Sequence, residues 1–544
     1  MRGWGIGSIG LISAVVVLVA CQPPTAVDHN PHTNPWLNEV SADSPVLIAN
    51  HRPLDDEQWN RLFSVVPMAQ RLGMDRSLDR HPSLRPWLDH IQTADGWRSA
   101  GFDPNGFFAV YAQHDRLIAR LPLSDEATFW RWWAQVRPAR ATRPPAPAAA
   151  GAPEENGATV PIRLPFLGTT ESVVQLATTP DHLTVIWQSA TPQATAQTNP
   201  SQSGDEWSAA AWSEFNQTHQ FDGHLSGYID IGGWLTDLTT VSAACRALLQ
   251  QAAMPIESIR FGTRQLSADE VRWRGEIASP LWALADAQPA PAPIPIDLDT
   301  VKGAGIAGVG ASFNLIGLRE TLLAWADTAT VGSSACPLGN TWAGHHRGLK
   351  ALANRPIPPI FSSLRGVTSR LDGWPSEGSD ATPDYFTEIF LRNPQFLLGL
   401  AQMFSPDLAQ LNLQPNQAPA EVPESLTQAL GGVAVYLSTT SDSIRASGTA
   451  SAHGESPAPP TGEGAQSMDR VWFVGTVQLD RLDALAEAAD MWPSIQFTDR
   501  WIKPMKDWAQ ASRAKQIDFQ MGGGDSSLEV ELQIIGPRPQ SRIQ

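Results

Sequence analysis

The residues with the clearest potential for chemistry form a glycine-rich segment in the second half of the chain. Gly303, Gly305 and Gly308 match the G-x-G-x-x-G spacing with which a loop binds a dinucleotide pyrophosphate at a helix N-terminus. That site needs a buried strand before the first glycine and a helix after the last one. Here the mostly polar residues 299–302 come first and the alternating residues 309–315 follow. The segment is therefore interpreted as a glycine-rich strand or bulge.

Other signatures of catalysis or metal binding are missing from the sequence. It contains no H-E-x-x-H, no Walker A loop, no G-x-S-x-G elbow and no C-x-x-C. His345 and His346 are adjacent, but a metal site needs further ligands at a suitable spacing, and none is recognisable. We predict no catalytic residues, no metal site and no cofactor.

The N-terminus has the layout of a secretory signal. The uncharged run 6–20 follows Arg2 and is shorter than the roughly 20 apolar residues that a transmembrane helix needs. Pro23 and Pro24 end any helix directly after it. We expect this segment, residues 1–20, to be a signal peptide.

The end of this run, Leu18-Val19-Ala20-Cys21, resembles the lipobox of bacterial lipoproteins. The resemblance implies cleavage before Cys21, a diacylated thiol at Cys21, and acylation of the new amino group. Several acyl chains, at about 0.8 kcal/mol per buried methylene, make a durable anchor. Gln22 in place of Asp implies sorting to the outer membrane, facing the periplasm or the cell surface. An ordinary signal peptide or an uncleaved signal anchor are the alternatives.

Two of the 3 cysteines remain once Cys21 is assigned to lipid. Cys245 lies in a helical run, and Cys336 lies in a loop rich in Gly, Ser and Pro. Because an oxidising envelope permits disulfides, we predict a Cys245–Cys336 bridge that joins the two lobes. The alternative is two buried free thiols.

Composition and charge exclude several classes of protein. The 544 residues are 42% hydrophobic and carry a net charge of −17. The apolar content is too high for a wholly disordered chain and predicts a large core. The acidic charge makes nucleic acid and anionic lipid surfaces poor partners, and no local basic patch offsets it.

Proline-rich segments divide the chain into two lobes. Residues 21–42 are interpreted as an extended tether, and residues 287–296 as a semi-rigid Pro/Ala linker. The first lobe is then 43–286 and the second 297–544.

A strand followed by a helix recurs four times, twice on each side of the linker, which suggests a duplication. The strands are predicted at 116–123, 225–231, 309–315 and 472–479, each with apolar residues at helical spacing after it. Four aliphatic residues at the strand-to-helix junctions are expected to be buried: Leu123, Ile231, Leu315 and Leu479.

Strand pairs separated by turn residues accompany these units. They are predicted at 173–177 with 183–187, 259–263 with 271–277, 433–437 with 444–449, and 517–521 with 528–534. Hairpins of this kind build antiparallel sheets. The predicted fold is α+β: two similar lobes of twisted antiparallel sheet with helices packed on one face. A β-sandwich with peripheral helices is the alternative.

Tryptophan is abundant, with 21 residues against 4 tyrosines. Trp130, Trp132 and Trp133 fall in one helical turn, so they cannot all face the core. Trp130 and Trp133 are expected to share a face with Phe129, which leaves Trp132 exposed as a possible binding residue. Core packing is the alternative for each of them.

Two functions remain open from the sequence. The first is a lipid-anchored envelope protein with a non-catalytic binding or scaffold role toward a protein, glycan or lipid partner, favoured by the tether, the repeats and the tryptophans. The second is a periplasmic hydrolase with a site assembled from distant loops.

Overall fold

The computed structural model describes the chain from residue 34 to residue 536, with gaps. The described residues are 34–63, 93–113, 116–136, 156–163, 171–189, 209–231, 233–234, 256–267, 269–279, 296, 301–312, 316–317, 319–320, 323, 347–348, 350–351, 353–358, 362–375, 382–411, 413–428, 433–450, 471–490, 502–523 and 527–536. Over these ranges helices accompany strands that pair antiparallel, so the α+β class is confirmed at this level.

The chain divides into two compact units. Unit 1 comprises residues 1–278 and 328–347, and unit 2 comprises residues 279–327 and 348–544.

Unit 1 contains nine strands among its described residues. They are β1 Val46–Ala49, β2 Ala109–Gln113, β3 Arg116–Pro122, β4 Asn156–Arg163, β5 Glu171–Thr178, β6 His182–Ser189, β7 Ser226–Asp230, β8 Ser258–Leu266 and β9 Glu270–Ala278. Their antiparallel pairings give the order β4-β5-β6-β3-β2-β1-β7-β8-β9.

Helices join these strands. They are α1 Asp56–Phe63, α2 Ala94–Ser99, α3 Glu126–Val136 and α4 Ala209–Thr218, with a 3-10 turn at Pro35–Glu39. Side chains cap their first turns: Thr93 accepts from the backbone of Gly96, and Asp125 accepts from Ala127 at 2.9 Å and Thr128 at 3.1 Å.

Apolar side chains cover both faces of the central strands of unit 1. In β1, Val46 and Ile48 belong to a core that includes most of the buried aromatic residues, whereas Leu47 and Ala49 pack with Trp212 of α4 on the other side. The period-2 alternation of a strand produces this division. β1 is consequently buried throughout.

Unit 2 also contains nine strands among its described residues. They are β10 Ala307–Ser312, β11 Leu364–Gly373, β12 Asp384–Leu391, β13 Ala420–Glu421, β14 Tyr436–Thr439, β15 Ser443–Ser447, β16 Val471–Gln478, β17 Gln516–Gly523 and β18 Ser527–Ile535. Their antiparallel pairings give the order β13-β14-β15-β12-β11-β10-β16-β17-β18.

The helices of unit 2 are α5 Pro394–Phe404, α6 Pro406–Ala409, α7 Glu424–Thr427, α8 Leu482–Asp490 and α9 Lys503–Ser512, with a 3-10 turn at Leu479–Arg481. Ile296, Val301, Val471 and Val474 form a buried cluster. Of the three glycines in the G-x-G-x-x-G spacing, Gly308 lies in β10, whereas Gly303 and Gly305 precede this strand. The last glycine is therefore followed by a strand and not by a helix. A Cβ at Gly308 would lie 2.3 Å from the carbonyl oxygen of Val301, so only glycine fits there.

The predicted strand pairs are confirmed as the hairpins β5–β6, β8–β9, β14–β15 and β17–β18. Leu123 and Leu479 are buried as predicted, at 5% and 4% exposure. Ile231 is half-buried, and Leu315 lies outside the described residues.

The expected exposure of Trp132 is wrong, because only 5% of this residue is accessible. The buried stripe of α3 contains Phe129, Trp132 and Trp133, which follow the i, i+3, i+4 spacing of a helix face. Trp132 packs against Phe102 and Phe129, with ring centroids 6.1 Å away in both cases. Trp130 is the less buried residue, and its indole N–H donates to Thr178 Oγ1 at 3.0 Å.

Candidate functional site

The residues with a predicted role are mostly outside the described part of the chain. Cys21, Cys245 and Cys336 lie there, as do His345 and His346. Trp132 is inside the core of unit 1 and presents no surface to a partner. Two other groups of residues stand out: an apolar surface on α5 in unit 2 and a buried polar cluster in unit 1.

The apolar surface is a stripe along α5, defined here as Phe396, Gly399 and Met403 and called the α5 surface. Phe396 is 57% exposed and Met403 80% exposed. Gly399 lies between them, three residues after one and four before the other, so all three share a helix face. A Cβ at Gly399 would have no atom within 4 Å. The stripe therefore has an open notch between two exposed apolar side chains.

Local contacts fix which face of α5 is exposed. Asn393 caps the helix by accepting from the backbone N–H of Phe396 at 3.0 Å, and Pro394 occupies the first turn. On the other side Leu398 is buried. Next to the stripe, the Gln395 side chain donates to Thr439 Oγ1 at 3.3 Å. These contacts leave the α5 surface exposed on a helix that contains no charged residue.

Acidic side chains lie at the C-terminal end of α5. Gln402 donates to the carbonyl oxygens of Leu408 and Leu411, both at 3.1 Å, which holds the following segment against the helix. In that segment Asp407 accepts from the Ser425 hydroxyl at 2.6 Å, and Glu424 beside it is exposed. Asp407 and Glu424 lie in the first turns of α6 and α7, where the positive end of a helix dipole favours a carboxylate.

The polar cluster lies where the C-terminal end of β1 meets the N-terminal end of β7. The backbone N–H groups of His51 and Arg52 donate to the carbonyl oxygen of Gly223, at 2.8 and 3.0 Å. His224 is hydrogen-bonded to the backbone of Pro53. Gly223 has a φ of 81°, which favours glycine. The loop after β1 and the loop before β7 are thus tied together.

Several polar atoms of this cluster are buried without a partner among the described residues. They are the Nδ1 atoms of His51 and His224, both amide atoms of Asn216, and Asp222 Oδ2. Asn216 is only 5% exposed. Buried polar groups in native proteins are normally hydrogen-bonded, so an ordered water or polar solute is expected here.

Burial controls the charge of the two histidines. Desolvation lowers the pKa of His51, and the neighbouring Arg52 lowers it further. Desolvation also lowers the pKa of His224, with Arg52 acting in the same direction and Asp222 and Asp55 opposing it. Both imidazoles are therefore neutral at pH 7.

An ion pair on the neighbouring hairpin is the third polar arrangement. His219 Nδ1 lies 2.9 Å from Glu276 Oε2, and Arg274 lies 3.3 Å from Glu276 Oε1. Burial raises the pKa of Glu276, but the hydrogen bond with His219 and the charges of Arg274 and Arg260 outweigh it, so the pKa is lowered. Because the carboxylate is matched by these partners, we assign it to the packing of α4 on β8 and β9.

The described residues contain no group of three or more His, Cys, Asp or Glu side chains placed to hold a metal ion. Over the same residues, no helix has the length and apolar character needed to span a bilayer. No protein-family model, curated protein or solved structure matches the chain.

Proposed function

We propose that this chain is a lipid-anchored cell-envelope protein with a non-catalytic binding or scaffold role, built from two similar lobes. The anchor is the lipid on Cys21, and the expected location is the outer membrane. The support for the anchor is the lipobox-like segment before Cys21 and the proline-rich tether after it.

Strand order supports the duplication of the lobes. Each unit has nine described strands, and numbering them from one to nine within each unit gives the same order, 4-5-6-3-2-1-7-8-9. Nine antiparallel strands can be ordered in many ways, so two independent lobes would rarely agree.

Equivalent turns in the two units also support the duplication. The turn between β5 and β6 closes through a backbone hydrogen bond from Thr179 to His182 at 2.9 Å. The Thr179 hydroxyl donates to Asp181 Oδ1 at 2.6 Å. The carbonyl oxygen of Asp181 then accepts from the backbone of Leu123 at 2.9 Å.

The turn between β14 and β15 repeats these three contacts in unit 2. Thr440 donates its backbone N–H to Ser443 at 2.9 Å and its hydroxyl to Asp442 Oδ1 at 2.9 Å. The carbonyl oxygen of Asp442 accepts from the backbone of Leu391 at 2.8 Å. The register pairs Leu123 with Leu391, and thus α3 with α5.

The capping residues agree with this register. Asp125 caps α3 through the backbone N–H of Thr128, and Asn393 caps α5 through that of Phe396. Asp125 and Asn393 are both two residues after the paired leucines. A shared fold does not by itself assign a function, so the role of each lobe has to be argued from its surface.

The single observation that carries the binding role is the exposed α5 surface. The largest exposed apolar patch of a domain is often an interaction site, because a partner that covers it removes apolar surface from water. Among the described residues only Ile389, Phe396 and Met403 are large, hydrophobic and exposed, so two of the three lie on this one helix face.

Cell fractionation tests the anchor. Cys21→Ser should move the protein from the membrane fraction to the soluble envelope fraction. A variant that still sediments with membranes would point to an uncleaved signal helix. Mass mapping of the non-reduced chain should find a peptide linking Cys245 to Cys336, and free thiols at both positions would rule out the bridge.

One observation favours the hydrolase alternative. The polar cluster gathers His51, Asp222 and His224 from two loops that are distant in sequence. If the wild type hydrolyses an ester or glycoside panel and a folded His51→Gln/His224→Gln variant does not, the site is catalytic. No turnover by the wild type favours the binding role.

A further inference from the structure

The residues of the α5 surface differ in kind from those at the same positions of α3. The register established by the caps pairs Thr128 with Phe396, Arg131 with Gly399, and Gln135 with Met403. Arg131 and Gln135 are exposed and Thr128 is half-buried. The same helix face is therefore polar in unit 1 and apolar in unit 2, so the fold itself does not require apolar residues there.

Gly399 is unfavourable for the helix that contains it. Glycine in a helix interior is less stable than alanine, and the empty space around its Cβ position shows that close packing does not demand it. A side chain between Phe396 and Met403 would, however, fill the notch. In helix pairs, a side chain of one helix inserts into a hole between residues of the facing helix.

The charges near the α5 surface indicate which charge a partner should carry next to the side chain that enters the notch. Near the C-terminal end of α5, Asp407 accepts from the Ser425 hydroxyl, and the exposed Glu424 directly precedes Ser425 in the sequence. The chain as a whole carries a net charge of −17. Basic side chains on the partner would complement this end. Anionic lipid would meet the same acidic groups and be repelled.

The exposed area of the α5 surface favours a peptide-like partner over a second copy of the chain. At full exposure an aromatic residue contributes roughly 150–250 Å², so Phe396 and Met403 together expose about 300 Å². A stable dimer buries about 800 Å² per partner. The exposed stripe is large enough for one hydrophobic anchor and its flanks, and too small for a permanent dimer.

We propose that the α5 surface docks a basic amphipathic segment of a partner protein. An apolar side chain of that segment enters the notch at Gly399 between Phe396 and Met403, and Lys or Arg side chains next to it face Asp407 and Glu424. This inference rests on the proposed binding role and names the surface and the partner class.

A synthetic amphipathic helix of Leu and Lys residues is the probe for this site. Its binding to the full chain is measured by fluorescence anisotropy, beside a Leu/Glu peptide of the same pattern. The wild type should bind the Leu/Lys peptide and not the Leu/Glu peptide. Binding of both peptides alike would overturn the proposed charge preference.

The test variant replaces Phe396, Gly399 and Met403 by the residues of α3, giving Phe396→Thr/Gly399→Arg/Met403→Gln. Phe396 and Met403 are exposed, and a Cβ at position 399 has no atom within 4 Å, so the melting temperature should be retained. Affinity for the Leu/Lys peptide should fall by about tenfold or more. The matched control, Thr128→Ser/Gln135→Asn on α3, should bind as the wild type does. A test variant that folds and binds unchanged would overturn the proposal.

The acidic end is tested separately. Asp407→Asn/Glu424→Gln should weaken binding several-fold at low salt and little at high salt, since these charges are screened. A loss that is independent of salt contradicts the assigned role of these two side chains.

Two further measurements test whether a lipid surface or a second copy of the chain binds the α5 surface instead. If zwitterionic or anionic vesicles bind the wild type and not the test variant, the occupant is a lipid surface. If sedimentation shows self-association that the test variant abolishes, it is a second copy. Either result overturns the proposal of a peptide partner but leaves the envelope binding role intact. If the anchored wild type gives no crosslink to any envelope component, the binding role is overturned as well.

Discussion

Replacing Gly399 by alanine is expected to stabilise α5. Gly399 is an interior residue of an 11-residue helix, and its Cβ position has no atom within 4 Å, so the methyl group fits without strain. Alanine restricts the unfolded chain and favours the helix by about 1 kcal/mol. Amide hydrogen exchange in α5 should slow by roughly fivefold if it follows local opening.

The reverse substitution is the control for this experiment. Ala401→Gly in the same helix should accelerate exchange by at least the same factor, because it introduces glycine and removes a partly buried methyl group. If Gly399→Ala accelerates exchange, or leaves it unchanged while Ala401→Gly accelerates it, Gly399 is not an open position on an exposed helix face. The notch would then not exist in solution.

Three other predictions concern the cores and the polar cluster. Trp132→Ala should lower the free energy of unfolding by about 3–5 kcal/mol, because it empties a buried aromatic site; an unchanged urea midpoint would contradict this burial. Because the pKa values of His51 and His224 are lower in the folded than in the unfolded chain, the free energy of unfolding should fall as the pH drops below about 6.5. Replacing both histidines by Gln should flatten this pH dependence in urea titrations. Arg445→Met removes the arginine that lies 2.8 Å from the buried Glu388 carboxylate and should lower the free energy of unfolding by about 3 kcal/mol in thermal unfolding. Adding Glu388→Gln to Arg445→Met should restore part of this loss. Equal stability of the single and the double variant would contradict a charge left unpaired.

The elements that the sequence predicted correctly depend on local signals. Each confirmed hairpin has turn residues between two alternating segments, such as Thr179 to Asp181 between β5 and β6. The strand at 307–312 was recognisable because its glycines alternate with Val309 and Ala311 instead of opening a helix. Register within a hairpin follows from the turn, so no distant information is needed.

The prediction for Trp132 was wrong because the helical periodicity of this segment is ambiguous. With three tryptophans in four positions, a stripe through Phe129 and Trp130 and a stripe through Phe129 and Trp132 fit the same apolar pattern. The polar residues that follow, among them Gln135, also leave the buried face undefined. Packing against Phe102, a residue from another loop, decides the orientation.

The two candidate sites could not be predicted for a different reason. An apolar helix such as α5 normally indicates a core helix, and only the folded structure reveals that Phe396 and Met403 face outward. His51 and His224 meet because β1 pairs with β7, which is a contact between distant parts of the sequence. Non-local pairings of this kind leave no signal in a local pattern.

Site-specific photo-crosslinking in the intact envelope tests the docking of a partner on α5 most directly. A photoreactive residue is placed at Met403, and at Gln135 of α3 as the matched control, and the crosslinked peptides are identified by mass spectrometry. We expect a crosslink from position 403 to a peptide with an apolar run beside Lys or Arg. This crosslink should be lost in the Gly399→Arg background and absent from position 135. Equal crosslinking from both positions, or none from position 403, would contradict it.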